Sequence, residues 1–214
     1  MQPIRPLMKA HQVAALEQTL LALGKDKPID VLEWGAGSST AYFTRMLRDH
    51  GVSYRWLSLE HDRGWYEKVQ SDLAGDPNVD VKWVETGADA SNWRKIPMDD
   101  YVNYPATLGR QFDFIFVDGR KRRRCLLEAK KLLKPGGVVF LHDAHRRYYH
   151  CAQDSYPDNR FLDRELWRGS NATVSAGQRL INALNRIYYR NIAKTVESLL
   201  RAKALKRMLG VSAS

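Results

Sequence analysis

The stretch Val31-Leu-Glu-Trp-Gly-Ala-Gly-Ser-Ser-Thr40 decides how this chain folds. An apolar run from Ile29 to Leu32 ends in the acidic Glu33. A glycine-rich turn follows, and Ser38, Ser39 or Thr40 then opens a helix at Ala41. Glycines at 35 and 37 let the backbone turn sharply and approach a ligand that a Cβ would hold away. The new helix can cap itself with a hydroxyl and aims its free N–H groups at the same spot. Strand, Gly-x-Gly and helix in this order make the nucleotide-binding corner of a parallel α/β sheet.

Outward from that corner the chain alternates strands and helices. Val13, Leu16, Leu20 and Leu23 recur at helical spacing before Gly24. The helix after the glycine turn is expected to bury Tyr42, Phe43, Met46 and Leu47 and to end at Gly51. Strand two, Tyr54–Leu59, runs into Glu60-His61-Asp62, where Asp62 caps a helix with Trp65, Val69 and Leu73 on one face. Strand three is 79–85, strand four 112–117 and strand five 138–141, the last ending at His142-Asp143. Two closing strands are expected at 160–167 and 172–175. Continuous apolar strands alternating with helices predict a doubly wound, mostly parallel, seven-stranded sheet covered on both faces. The connection from Thr86 to Gln111 is long enough to need a purpose. Its Tyr101 and Tyr104, with Arg120 just beyond strand four, are read as acceptor-binding residues.

At 214 residues, 44% hydrophobic and 27% charged, the chain reads as globular and holds no apolar run long enough to span a membrane. Two cysteines, Cys125 and Cys151, make neither a disulfide framework nor a metal-ligand spacing, and a cytoplasmic location is expected. The net charge of +10 is uneven: residues 178–209 supply +7 of it. The expected organisation is a domain over residues 1–177 and a basic amphipathic helical tail over 178–214. The tail's apolar stripe runs through Ile181, Leu184, Tyr188, Ile192, Val196 and Leu199. It suits an oligomer interface or a peripheral membrane contact. No RNA-binding motif accompanies it, which ranks nucleic acid third.

Acidic or polar residues end four strands: Glu33, Glu60, Asp118 and His142-Asp143. This set resembles the class I S-adenosylmethionine-dependent methyltransferases. The resemblance covers residues 29–143 and rests on Glu33-x-Gly35-x-Gly37, the acid Glu60, Phe-Asp-x-Ile-x-Val-Asp at 112–118 and Leu-Lys-Pro-Gly-Gly at 133–137. It implies a Rossmann-like fold and an S-adenosylmethionine site built from Glu33, Gly35, Gly37, Ser39, Thr40, Glu60 and Asp118. Asp89-Ala90 would meet adenine, with Glu85 competing for that role. A nicotinamide-dependent dehydrogenase would prefer a third glycine where Thr40 stands. Val-Asp-Gly-Arg at 117–120 and His142-Asp143 look like small-molecule and sugar O-methyltransferases, so the implied acceptor is a small molecule or glycan. RNA ribose methylation and a non-catalytic binding module on the same fold are the alternatives.

Asp118, His142 and Asp143 are the catalytic candidates, and they admit three readings. Asp118 and Asp143 could hold a divalent cation such as magnesium or manganese, with His145 or water filling in where that pattern has Asn and this chain has Ala144. His142 or Asp143 could instead serve as a general base. His142 could also be only a hydrogen-bonded histidine ending a buried strand. Arg120-Lys-Arg-Arg-Arg124 starts a helix, where each cation opposes the macrodipole by up to about 1 kcal/mol. The run is either a solvated face or the counterpart of an anionic acceptor.

Overall fold

A computed structural model of the chain describes residues 5–73, 75–88 and 91–208, with 202–208 described by backbone alone. Strand β1 (Ile29–Trp34) is buried along its whole length, between β2 (Tyr54–Glu60) and β4 (Phe112–Val117). With β3 (Val79–Trp83), β5 (Leu133–His142), β6 (Asp158–Phe161) and β7 (Leu166–Ser170), these form one seven-stranded sheet in the order β3-β2-β1-β4-β5-β7-β6. β7 runs antiparallel to β5 and β6 on either side of it, and the remaining pairs are parallel among the described residues, so the sheet is Rossmann-like and mostly parallel. The strand order reverses between β1 and β4, which opens a crevice at their C-terminal ends.

Successive strand residues face opposite sides of the sheet. Val31, Phe114, Phe116 and Phe140 pack against Leu16 and Leu20 of α1 (Ala10–Leu23) and Phe43 and Leu47 of α2 (Ser38–Asp49). Leu32, Ile115, Val117 and Leu141 meet Tyr101 and Val102 of α4 (Asp99–Asn103) and Cys125, Leu126 and Ala129 of α5 (Arg122–Leu132). α3 (Arg63–Asp72) covers β2 and β3, with Asp62 Oδ1 capping it at Trp65 N, 2.8 Å away. The short α6 (His150–Gln153) follows β5.

Three expectations need correction. The segment 160–167 is not a strand but spans the turn of the β6–β7 hairpin, and 172–175 is irregular. β5 begins at Leu133 rather than Val138, because it resumes pairing with β4 on both sides of an irregularity around the Pro-Gly-Gly sequence. Trp65 does not share the buried face of Val69; it is 40% exposed.

At the N-terminal edge of the sheet, Asp30 and Asp113 are buried side by side, with Lys134 Nζ at 2.6 and 2.7 Å from them. Lys27 pairs with Asp113, and Arg55 and Arg110 pair with Asp30. Burial opposes ionisation of both acids, yet the hydrogen bonds outweigh it and lower both pKa values, from Arg55 and Lys134 at Asp30 and from the Asp30 amide, Lys134 and Lys27 at Asp113.

The tail is a continuous helical rod: α7 (Ala176–Ile187), one π-helical turn (Tyr188–Ile192) and α8 (Ala193–Met208). α7 lies along β6, and no helix among the described residues is long and apolar enough to cross a membrane.

Candidate active site

Two adjoining clefts open at the C-terminal ends of the strands. The first, about 490 Å³, is lined by Gly35–Ser39 after β1, Glu60–Asp62 after β2, Trp65, and Asp118–Arg120 after β4. The second, about 510 Å³, is lined by Lys9 and Gln12, His142 and Asp143 after β5, and Glu165 from the β6–β7 turn. Pro6, Leu7 and Met8 line both. Sequence reasoning missed this N-terminal strap, since it belongs to no periodic element and carries no charged motif. Volumes of this size suit small-molecule ligands.

The glycine turn is held from both sides. Gly35 has φ +100°, and a Cβ on it would lie 2.5 Å from Gly119 Cα, so two backbone turns touch at the switch point. Trp65 Nε1 donates to Ala36 O at 2.5 Å, which pins the loop and makes the indole one wall of the first cleft. α2 starts at Ser38, earlier than expected, and its hydroxyls do not cap it by reaching forward. Ser39 Oγ and Thr40 Oγ1 each donate to Glu33 at 2.6 Å, while Gly37 N–H donates to Thr40 Oγ1 at 3.0 Å. The first-turn amides of α2 have no intrahelical carbonyl to bond, and Ser38 and Ser39 border the cleft, as suits an anionic group.

Glu33 is fully buried and lines neither cleft. Besides Ser39 and Thr40 it accepts from Ser58 Oγ at 2.5 Å and Trp56 Nε1 at 3.1 Å. Burial dominates and raises its pKa despite those four donors. Glu33 and Thr40 therefore lie behind the loop, bracing it from beneath, whereas Ser39 also borders the cleft. Glu60 does face the cleft. Its Oε1 accepts from the amides of His61 (2.8 Å) and Asp62 (2.9 Å), and its Oε2 has no hydrogen-bond partner among the described residues. The other expected adenine contacts, Asp89 and Ala90, lie outside the described residues, and Glu85 lines neither cleft.

The boundary between the clefts is a pair: His142 Nδ1 lies 3.1 Å from Asp118 Oδ1, with Asp118 in the first cleft and His142 in the second. Burial works against protonation of His142, but the hydrogen bond to Asp118 and the charges of Asp118 and Asp143 outweigh it and raise the pKa. Asp143 has φ +54°, a left-handed backbone that a non-glycine residue adopts at a cost.

Arg122 corrects the cation reading. Its guanidinium sits between the two carboxylates, 2.9 Å from Asp118 Oδ1 and 3.2 Å from Asp143 Oδ2. It also donates to the carbonyls of Gly119, His142 and Asp118. The donor set therefore does not fit a divalent cation, because a fixed positive group already bridges the two acids. No cluster of three or more His, Cys, Asp or Glu side chains suited to a metal occurs among the described residues.

Lys121, Arg124 and Arg120 of the basic run are also engaged. Lys121 Nζ donates to Arg94 O, and Arg124 to Pro97 O and Asp99. Arg120 reaches the first cleft, its guanidinium 4.8 Å from the Trp93 ring centroid. Tyr101 and Tyr104 do not line either cleft. Tyr101 is fully buried and its backbone O accepts from Trp34 Nε1, while Tyr104 packs at the core margin beneath Lys82.

A strand-switch crevice with a glycine turn, a strand-end acid and an Asp–His pair defines a group-transfer site of the nucleotide-cofactor kind. The chain belongs to the methyltransferase-domain family, whose model matches residues 32–144, and it is an S-adenosylmethionine-dependent methyltransferase. It is similar in fold to a methyltransferase-like protein from Silicibacter pomeroyi (21% identity over 85% of this chain and 96% of that one, TM-score 0.59). Human methyltransferase-like protein 13 in complex with SAH is also similar (16% identity, 86% and 93% covered, TM-score 0.54). So is the O-methyltransferase from Bacillus cereus in complex with SAH (19% identity, 77% and 84% covered, TM-score 0.51). No curated protein matches the chain by sequence. The residues of the first cleft fit the cofactor, with an open carboxylate oxygen on Glu60, first-turn amides on α2 and no side chain on Gly37 to block approach.

Proposed function

We propose that this enzyme methylates a hydroxyl of a small molecule bound in the second cleft, with His142 as general base. The observation that carries this reading is the Asp118–His142 pair at the border of the two clefts. S-adenosylmethionine in the first cleft would supply the methyl group, held by Glu60 at its ribose and by the Gly35–Ser39 turn at its methionine portion. Asp118 fixes the imidazole with Nδ1–H towards its own Oδ1, which leaves Nε2 to take the acceptor's proton. The imidazolium formed is then stabilised by Asp118 and Asp143, whose positions Arg122 fixes.

The second cleft mixes Lys9 with Glu165, 2.9 Å apart, and His142 with Asp143. This balance favours a polar, hydroxyl-bearing small molecule or a short glycan over a polyanion such as RNA. An anionic substituent on the acceptor would find its cations at the cleft rims, in Arg120 and Lys9, and not in the run as a whole.

The test is release of the demethylated cofactor product across a panel of hydroxylated small molecules and sugars. His142→Ala should lower kcat by about a hundredfold or more, the usual scale for a lost general base, without changing cofactor affinity. Wild-type rate should rise with pH through an ionisation above the ordinary histidine value of 6.5, because His142 must be neutral to accept a proton. Full turnover in His142→Ala overturns the assignment.

A further inference from the structure

The helical tail meets its own domain with its polar side. Asn182 Nδ2 donates to Asp158 Oδ1, Asn185 bonds both backbone groups of Phe161, and Arg190 pairs with Asp154. Tyr189, stacked on Phe161, and Ala193 are also turned to the domain, but most of the apolar residues point the other way. Leu180, Ile181, Leu184, Ile187, Tyr188, Ile192, Leu199 and Leu200 are 39–62% exposed. At about 1.5 Å per residue the stripe is roughly 30 Å long. A patch of that size on a folded surface marks a contact site.

We propose that this face seats on an anionic lipid surface and holds the enzyme at a membrane as a peripheral protein. Charge chooses this occupant over a second copy of the chain. Arg179, Lys194 and Arg201 of the tail are exposed, and Glu197, the tail's one acid, is engaged by Arg164 at 3.2 Å. Residues 178–209 carry +7, so pairing two tails brings like charges together, while anionic headgroups neutralise them. The orientation suits an interfacial helix: apolar side chains enter the headgroup boundary, and the polar side, here occupied by the domain, stays outside it. The methyltransferase-domain match ends at residue 144, so nothing in the cofactor-binding part accounts for the stripe.

The experiment is sedimentation of the full chain with vesicles of phosphatidylcholine alone and of phosphatidylcholine with a quarter phosphatidylglycerol. Wild type should pellet with the anionic vesicles and much less with the neutral ones. The triple variant Arg179→Gln, Lys194→Gln, Arg201→Gln should partition about a hundredfold more weakly, at about 1 kcal/mol per cation near the surface. Leu184→Asp with Ile187→Asp, both at exposed positions, should lose more than tenfold while circular dichroism stays that of wild type. The proposal is overturned if wild type stays in the supernatant with anionic vesicles, or if the aspartate variant binds them as wild type does. It is equally overturned if light scattering shows a lipid-free dimer that the aspartate variant converts to monomer, because the stripe is then an interface between copies.

Discussion

Arg122→Met keeps most of the aliphatic stem and removes a guanidinium that holds three carbonyls and two carboxylates together. The arginine side chain is 13% exposed, while Asp118 and Asp143 are 27% and 33% exposed. Removing one partner of a fully buried pair costs about 3–5 kcal/mol. Partial access of water to both carboxylates reduces that to about 2 kcal/mol. The lost donors to backbone carbonyls add about 1 kcal/mol after their own rehydration. A total near 3 kcal/mol lowers Tm by about 6–12 °C in a chain of this size, measurable by differential scanning calorimetry. A second readout separates this bridge from simple packing. Arg122 holds the His142 pKa down, so its removal should move the pH–rate midpoint upward while Asp118 and Asp143 remain. A loss below about 2 °C with an unmoved midpoint would refute the bridging role.

Glu60→Ala should weaken binding of the demethylated cofactor product by about 1.5–3 kcal/mol, roughly ten- to a hundredfold, the range for a hydrogen bond to a charged group. Calorimetry showing unchanged affinity would remove Glu60 from the site. Glu33 has a pKa raised above 4.5 in the folded protein, so the native state binds its proton more tightly than the unfolded chain does. Its contribution to stability is therefore full below the unfolded value and falls as pH rises from there to the folded value. Glu33→Gln lacks that fall, and urea midpoints followed from acid to neutral pH should shift in its favour relative to wild type; parallel pH profiles would contradict the assignment.

The sheet was legible because its strands are buried on both faces and read as unbroken apolar runs, from Ile29–Trp34 to Phe112–Val117. The β6–β7 hairpin was not, since its short strands mix Asp158, Asn159 and Arg168 with apolar residues and stand at the sheet margin. Strand ends also pointed to Glu60, Asp118 and His142 as residues of the crevice, where the clefts now place them. The role of Arg122 stayed hidden because a cation in the first turn of a helix is locally unfavourable. Only the tertiary approach of β5 supplies Asp143 and the His142 carbonyl that offset it. Tyr101 and Tyr104 were misread for a related reason: α4 within the long connection folds back on the sheet, burying Tyr101 under Gly119. Trp65 fits a helical apolar stripe by spacing, yet its indole N–H is drawn to the Ala36 carbonyl, which turns the ring to the cleft.

The π-helical turn at Tyr188–Ile192 acts as a phase corrector. Each residue of an α-helix advances the side-chain direction by about 100°, and a π turn accommodates one extra residue without a full further advance. In an uninterrupted α-helix Leu199 and Leu200 would swing by roughly 100° out of line with Leu180, Leu184 and Ile187. The inserted residue returns them to the same outer meridian, while Asn182 and Asn185 keep their grip on β6. The rod thus has two blocks, one that grips and one that extends the display, and the single turn between them carries their alignment. Loss of one residue within 188–192 would let the turn close as ordinary α-helix and keep the two blocks aligned, whereas loss of one residue between the turn and Leu199 would swing them apart by roughly 100° and break the surface they share.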